Sequence, residues 1–363
     1  MPFIKKICVE NLRNLSPEII EFCSGINIIY GENGNGKTNI LEAIFYLLKK
    51  KSFKKNTGFP QILSIDNEKP EIIFKSLLLD QNGNEYSYSG KVTNEGHSWF
   101  YNGQPAKKEW KPEVVFINPH DSHLFFSSTT FKRQTLDNIG ISLFAEYKKI
   151  QNKYLSALKF RNILLAKRPA KFKEQINALD DSFIQLNLDL MNLRSQLCLE
   201  LSPKLETIFK TLFNSTDKLE LTYLPSLKSM SPDGVRQEFQ KSMEKDILIG
   251  HTRIGAHRDD YVLLFNSYNA QEFCSLGQQK VSFLGLLFAY IELFRYKNRV
   301  SPILLLDDIS GELDDVRWMG LLSHLDANDF QVMITTANEG FKTKMESLNS
   351  TKRIFVSRGE VYY

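Results

Sequence analysis

The eight residues Gly31-Glu32-Asn33-Gly34-Asn35-Gly36-Lys37-Thr38 restrict this 363-residue chain more than any other stretch. A glycine, four residues and then Gly-Lys-Thr is the P-loop pattern, which makes a nucleoside triphosphate the first ligand to consider. The setting agrees, because residues 26–30 read as a short buried strand before it and 39–50 as an amphipathic helix after it. In that setting glycines 31, 34 and 36 let the backbone turn tightly, so that its N–H groups and the positive end of the helix face phosphate oxygens. Lys37 would reach the β- and γ-phosphates and Thr38 would bind Mg²⁺. The candidate ATP-binding residues of this loop are Gly31, Glu32, Asn33, Gly34, Asn35, Gly36, Lys37, Thr38 and Asn39. The alternative, a glycine-rich strand-to-helix turn with no ligand, is outweighed by the full pattern in its setting.

A second half of the site lies far along the chain. Ile303-Leu304-Leu305-Leu306-Asp307-Asp308 is an apolar strand ending in two carboxylates, as the Mg²⁺-binding Walker B element requires. Asp307 would hold Mg²⁺ through its waters, together with Thr38, and Asp308 would orient or deprotonate the water that attacks the γ-phosphate. An ordinary turn carrying two aspartates is the alternative, and the P-loop outweighs it; with that loop they complete a catalytic set of Lys37, Asp307 and Asp308. Between the two motifs stands Ser275-Leu276-Gly277-Gln278-Gln279-Lys280, followed by apolar residues at helical spacing from Val281 to Phe294. Ser275 therefore sits at a helix N-terminus. It is either an N-cap serine and nothing more, or it faces, with the helix dipole, the γ-phosphate of an ATP held by another subunit.

Composition excludes little. Hydrophobic residues at 42% and charged residues at 24% suit a globular protein, and a net charge of +4 is compatible with nucleic acid without demanding it. Cys8, Cys23, Cys198 and Cys274 are scattered, so neither a zinc site nor a disulfide framework is indicated and reduced thiols are expected. No apolar run approaches the ~20 residues that cross a bilayer and no signal-peptide pattern opens the chain, so a cytoplasmic location is expected.

The length suits two domains, or one with a large insertion. Strand-rich sequence fills the first hundred or so residues: 72–79 and 85–92 flank the hairpin signal Gln81-Asn82-Gly83-Asn84, a second hairpin is expected at Asn102-Gly103, and 114–117 reads as a buried strand closed by Pro119. Charged, helix-period sequence runs from about 130 to about 213. There Leu179, Phe183, Leu186, Leu190, Leu193 and Leu197 form a heptad seam, Arg168-Pro169 supplies a turn, and two antiparallel helices of roughly 30 residues would extend about 45 Å. An ordinary helical subdomain with a leucine core is favoured over a dimerising coiled coil. Strand character returns at 219–223, and one sheet assembled from both ends of the chain would explain the pattern. The expected fold is α/β, a P-loop ATPase head interrupted by a helical arm, with boundaries at 1–125, 126–240 and 241–363.

The order P-loop, helical insertion, serine-glycine-glutamine signature and Walker B resembles the ABC-type ATPases of chromosome maintenance and repair. Within them, 31–44, Lys159-Phe160-Arg161-Asn162, Gly255-Ala256-His257-Arg258-Asp259-Asp260, 275–280 and 304–314 are similar to the RecF family of bacterial recombination mediators, over nearly the whole chain. The resemblance implies an ABC-type head whose opening Asn11-Leu12-Arg13-Asn14 brings Arg13 near the nucleotide. It implies that Ser275, Gly277 and Gln278 meet ATP in trans across an ATP-dependent homodimer, and that Asp314 belongs to the D-loop. Thr335-Thr336 fall where other ABC ATPases place a switch histidine. It further implies slow hydrolysis that times DNA residence, binding at gaps or single-strand/double-strand junctions, and action with RecO and RecR in loading RecA. Departures are Ser310-Gly311 for an aromatic-serine pair, His120 for an acid beside the candidate Q-loop residue Asp121, Ser127-Ser128-Thr129-Thr130 without glycine and proline, and Lys280 for arginine.

DNA contact is assigned to the basic cluster after the P-loop helix, with Lys50, Lys51, Lys54 and Lys55 as candidates; a solvated helix end is the equal alternative. Lys107, Lys108 and Lys111, and the bases on the helical arm, are further candidates. Competing functions are a transporter ATPase, which the inserted arm and the missing membrane segment disfavour, a nuclease-associated defence ATPase, and a P-loop kinase or GTPase, which the signature serine before Walker B disfavours.

Overall fold

The Ile26–Tyr30 strand is buried at every position but its last, as a strand covered on both faces must be. In the computed structural model, which describes residues 3–54, 57–65, 69–80, 82–106, 112–118, 120–213, 217–309, 313–328, 330–337 and 351–363, it lies inside a six-stranded sheet. The strand order is 360–362, 351–357, 26–30, 332–336, 303–306 and 114–117, all parallel except the hairpin formed by the first two. A second six-stranded sheet is antiparallel throughout, in the order 19–21, 3–10, 71–79, 85–93, 97–101 and 104–105. Both expected hairpins are present in it. At the second, Asn102 and Gly103 have φ of 47° and 76°, the left-handed pair that a two-residue turn of this hand requires.

The Lys37–Lys49 helix buries Ile40, Leu41, Ala43, Ile44, Leu47 and Leu48, positions that form one broad apolar face. It fills the space between the two sheets: Tyr46 stacks on Phe74 of the antiparallel sheet with centroids 5.5 Å apart, and the helix also packs on the 332–336 and 114–117 strands. The P-loop at its start is thereby fixed to the edge of a solid core.

The chain forms two compact units, one of residues 1–121, 210–215 and 294–363 and one of 122–209 and 216–293. The Leu276–Asn298 helix is continuous from the second into the first, so the expected third segment, 241–363, is shared between the units. In the second unit the Tyr147–Lys167 helix ends at Arg168, left-handed with φ 47°, and Pro169 follows at the expected turn. The next helix, Phe172–Phe213, has 42 residues rather than roughly 30. Its buried stripe is also wider than a heptad seam, for Ile184, Leu188, Met191 and Cys198 are buried beside Phe183, Leu190, Leu193 and Leu197. Three helices meet there: Phe183 stacks on Tyr154 at 5.6 Å and packs on Phe239 of the Pro232–Ile249 helix at 5.3 Å.

One expectation is corrected. The parallel sheet does draw strands from both ends of the chain, but the Leu219–Leu224 strand is not in it. That strand pairs antiparallel with Asp260–Phe265, which pairs with Tyr268–Asn269, in a separate three-stranded sheet of the second unit. Its alternating buried and exposed residues suit a sheet with one face in solvent. Among the described residues no helix is long and apolar enough to cross a membrane.

Candidate nucleotide-binding site

In the first unit the P-loop runs from the tip of the 26–30 strand to the Lys37–Lys49 helix, and two of its glycines are required by close approach. Gly31 has φ 150° and a Cβ there would lie 2.2 Å from the Val356 carbonyl oxygen; Gly36 has φ 107° and its Cβ would lie 2.9 Å from Asn14 Oδ1. Lys37 curls back over the loop, its Nζ donating to the Gly31 carbonyl at 2.7 Å and the Glu32 carbonyl at 2.8 Å. Burial lowers the pKa of this ammonium below the ordinary lysine value, against the opposing pull of the Asp308 and Asp307 charges. Glu32, Asn33 and Gly34 are open to solvent. Asn14 Nδ2 donates to the Gly34 carbonyl at 3.2 Å, and Asn39 Nδ2 donates to Asn14 Oδ1 at 2.7 Å. From the far end of the chain, the Gly359 N–H donates to the Asn35 carbonyl at 3.0 Å and the Arg358 N–H to Asn35 Oδ1 at 3.3 Å.

The carboxylates after the Ile303–Leu306 strand reach the same place. Thr38 Oγ1 donates to Asp307 Oδ1 at 2.8 Å, joining two residues 269 positions apart in sequence. Thr335 Oγ1 donates to the same oxygen at 2.7 Å and accepts the Asp308 N–H at 3.0 Å. Asp307 is buried, whereas Asp308 is exposed and left-handed at φ 51°. The strand end thus presents one carboxylate held by hydroxyls and a second turned to solvent.

Arg13, left-handed at φ 54°, forks onto Glu42 through Nε at 3.1 Å and a terminal nitrogen at 3.2 Å. Glu42 is fully buried in the P-loop helix and also accepts from Ser52 Oγ at 2.5 Å and pairs with Lys54 at 3.3 Å. Burial raises its pKa, and the Arg13 and Ser52 hydrogen bonds with the Lys54 and Arg13 charges outweigh that, leaving the carboxyl below its ordinary value. Sequence reasoning passed over Glu42; the signal was a carboxylate set among Ile40, Leu41, Ala43 and Ile44, where only a paired charge is tolerated. Of the basic cluster, Lys49 pairs with Glu113, Lys50 lies 5.5 Å from the Trp99 ring centroid, Lys54 is on Glu42 and Lys51 is exposed. Lys55, Lys107, Lys108 and Lys111 lie outside the described residues.

In the second unit Ser275 caps the Leu276–Asn298 helix. Its Oγ accepts the Gln278 N–H at 3.3 Å while Gln278 Oε1 accepts the Ser275 N–H at 2.9 Å, a reciprocal capping box. Ser275 and Gly277 are exposed, and Phe273 and Leu276 beside them are each 67% exposed. Asp314, back in the first unit, caps the Asp315–Asp326 helix by accepting the Arg317 N–H at 2.9 Å and pairs with the Arg317 guanidinium at 3.0 Å. Asp121 opens the Asp121–Ser127 helix. Ser310, Gly311 and Pro119 lie outside the described residues.

Residues 3–360 match the family model of the RecF/RecN/SMC N-terminal domain. The DNA replication and repair protein RecF of Bacillus cereus (strain G9842) is 30% identical over 373 residues, covering 99% of this chain and 98% of that protein. The chain belongs to the RecF family. RecF of Bacillus thuringiensis (strain Al Hakam) is likewise 30% identical over 99% of this chain and 98% of its own length. A solved structure of the recombination mediator protein RecF-ATP in the RecFOR pathway superposes with a TM-score of 0.85 at 25% identity, over 99% of this chain and 97% of that one. The Smc head domain of Pyrococcus furiosus, at 16% identity and a TM-score of 0.59 over 99% of this chain and 95% of its own, shares the fold alone. The RecF fold is therefore the α/β, ABC-type head read from the motif order.

Proposed function

We propose that this chain is an ATP-dependent DNA-binding protein of recombinational repair and replication-fork maintenance, acting in the cytoplasm. The observation that carries the reading is the Thr38–Asp307 contact, which brings P-loop and Walker B together at one point. Lys37 exchanges two backbone carbonyls for the β- and γ-phosphates, and the exposed backbone of 32–34 receives them. Thr38 and Asp307 hold Mg²⁺. Among the described residues no three His, Cys, Asp or Glu side chains gather into a metal site, and one carboxylate, one hydroxyl and substrate phosphates are the donor set Mg²⁺ ordinarily takes. Asp308 positions the attacking water, and hydrolysis is slow and regulatory.

Two subunits close on two ATP molecules, with Ser275, Gly277 and Gln278 of one facing the P-loop of the other and Asp314 near the seam. The exposure of Ser275 and of the apolar Phe273 and Leu276 supports this, since a purely internal cap needs no such surface. The dimer binds DNA at gaps or junctions, with Lys50, Lys51, Lys54 and Lys55 as candidate phosphate contacts, and acts with RecO and RecR to load RecA. The deciding experiment is the molar mass of the Asp308→Asn protein by light scattering, with and without Mg-ATP. A doubling on ATP is expected; a constant monomer mass would reduce Ser275 to a helix cap and return a small-substrate P-loop enzyme to contention.

A further inference from the structure

The Tyr147–Lys167 helix of the second unit carries Lys148, Lys149, Lys153, Lys159 and Lys167 on its exposed side and contains no aspartate or glutamate. None of the five lysines has an ion-pair partner among the described residues. Between them stand Leu155 and Ile163, 49% and 41% exposed, where an amphipathic surface helix would carry polar residues. With Ala166 they line a groove of about 490 Å³ rimmed by Lys159 and Lys167 and closed by Gly250, the C-cap of the Pro232–Ile249 helix. Leu248 and Ile249, just before Gly250, are 81% and 50% exposed, so apolar surface continues past the groove.

The walls of this groove are held by a frame beneath it. Arg161 is fully buried with its guanidinium 5.4 Å from the Phe239 ring centroid, and its Nη1 donates to Asp246 at 2.9 Å and to Thr252 Oγ1 at 2.7 Å. Asn162 Oδ1 accepts from both the N–H and the hydroxyl of Thr252, at 2.8 and 2.7 Å, and Arg168 donates to the Ile247 carbonyl. The site is therefore preformed, which removes an ordering cost that a flexible surface would carry on binding.

We infer that this groove docks an acidic, amphipathic segment of a partner protein, its apolar side chains against Leu155, Ile163 and Ala166 and its carboxylates on Lys159 and Lys167. Each alternative leaves half the surface unsatisfied. A phosphodiester backbone neutralises the lysines but gives aliphatic side chains nothing to bury, and Phe160, the exposed ring of this helix on which a base could stack, is not among the residues that line the groove. A second copy of this chain packed face to face would set five lysines against five. Negative charge and apolar anchors on one segment satisfy both, in the helix-in-groove manner.

The test uses the full chain and fluorescence anisotropy of a labelled synthetic peptide of about 18 residues, five helical turns, with leucine at helical spacing and glutamate elsewhere. A scrambled peptide of the same composition and a DNA duplex serve as probes beside it. The wild type binds the amphipathic peptide, and Leu155→Asp and Lys159→Glu each weaken it about tenfold, with melting temperature and duplex affinity unchanged. Equal binding of the scrambled peptide, or no effect of Leu155→Asp, overturns the proposal by showing that charge alone is read. Displacement of the peptide by duplex, with Lys159→Glu lowering duplex affinity, makes nucleic acid the occupant. Peptide-independent self-association abolished by Leu155→Asp makes it a second copy.

Discussion

Two hydroxyls converge on one carboxylate oxygen, Thr38 from the P-loop helix and Thr335 from the neighbouring strand, and Thr335 also takes the Asp308 N–H. Thr335→Val keeps the shape and deletes that bridge, taking one acceptor from the part-buried Asp308 N–H and one donor from the buried Asp307 carboxylate. We expect a loss of about 1–3 kcal/mol, read as a lower melting temperature; an unchanged melt would mean that water takes over the bridge. A second residue carries a pH signature. His257 Nε2 faces the Thr252 carbonyl at 3.0 Å, which can only accept, so Nε2 bears the proton and Nδ1 accepts from Tyr154 OH at 2.8 Å. Burial drives the His257 pKa from 6.5 down to about 4, so the folded ring stays neutral where the unfolded one charges. The unfolded chain then binds the extra proton between these values, and stability present above pH 6.5 is lost as pH falls toward about 4, by up to about 3 kcal/mol. Melts at pH 7 and pH 4.5 should show a steeper acid loss for the wild type than for His257→Gln. The motif residues were legible because their pattern is contiguous. Glu42 and the role of Thr335 were not, since each depends on a contact some 30 positions away, 29 to Arg13 and 28 to Asp307.

Elements with a clean period were legible too. The strands at 26–30, 71–79, 85–93, 114–117 and 303–306 lie where apolar runs and turn residues placed them. The Pro232–Ile249 helix escaped notice because its buried stripe is Val235, Phe239, Ser242 and Asp246, polar at half its positions. That stripe is polar because Asp246 takes Arg161, Ser242 Oγ at 2.9 Å and the Arg253 N–H at 3.2 Å. Removing one partner of such a pair strands the other charge. Arg161→Met should therefore cost about 3–5 kcal/mol in chemical denaturation, while Arg161→Met with Asp246→Leu recovers most of it. If the double variant is no better than the single one, the arginine matters for packing between Phe183 and Phe239 and its charge is incidental.

For the whole molecule, motif order revealed the architecture, but not the way the Leu276–Asn298 helix runs from one compact unit into the other. No local pattern marks such a crossing, because the helix is buried on all sides from Val281 to Ile291 and shows no single apolar stripe. The proposed dimer has its own test here: Ser275→Arg should retain one ATP per monomer by equilibrium dialysis while losing the ATP-dependent doubling of mass. If that variant still doubles, the signature helix lies away from the seam. A different consequence follows from the hold that Arg358 and Gly359 keep on Asn35, with Val356 pressed against Gly31. During synthesis the P-loop leaves the ribosome first, and the strand that braces it emerges 323 residues later. A nascent chain thus lacks this brace for most of its translation, and a message broken near its end yields a protein carrying the whole motif without the contacts of Val356, Arg358 and Gly359.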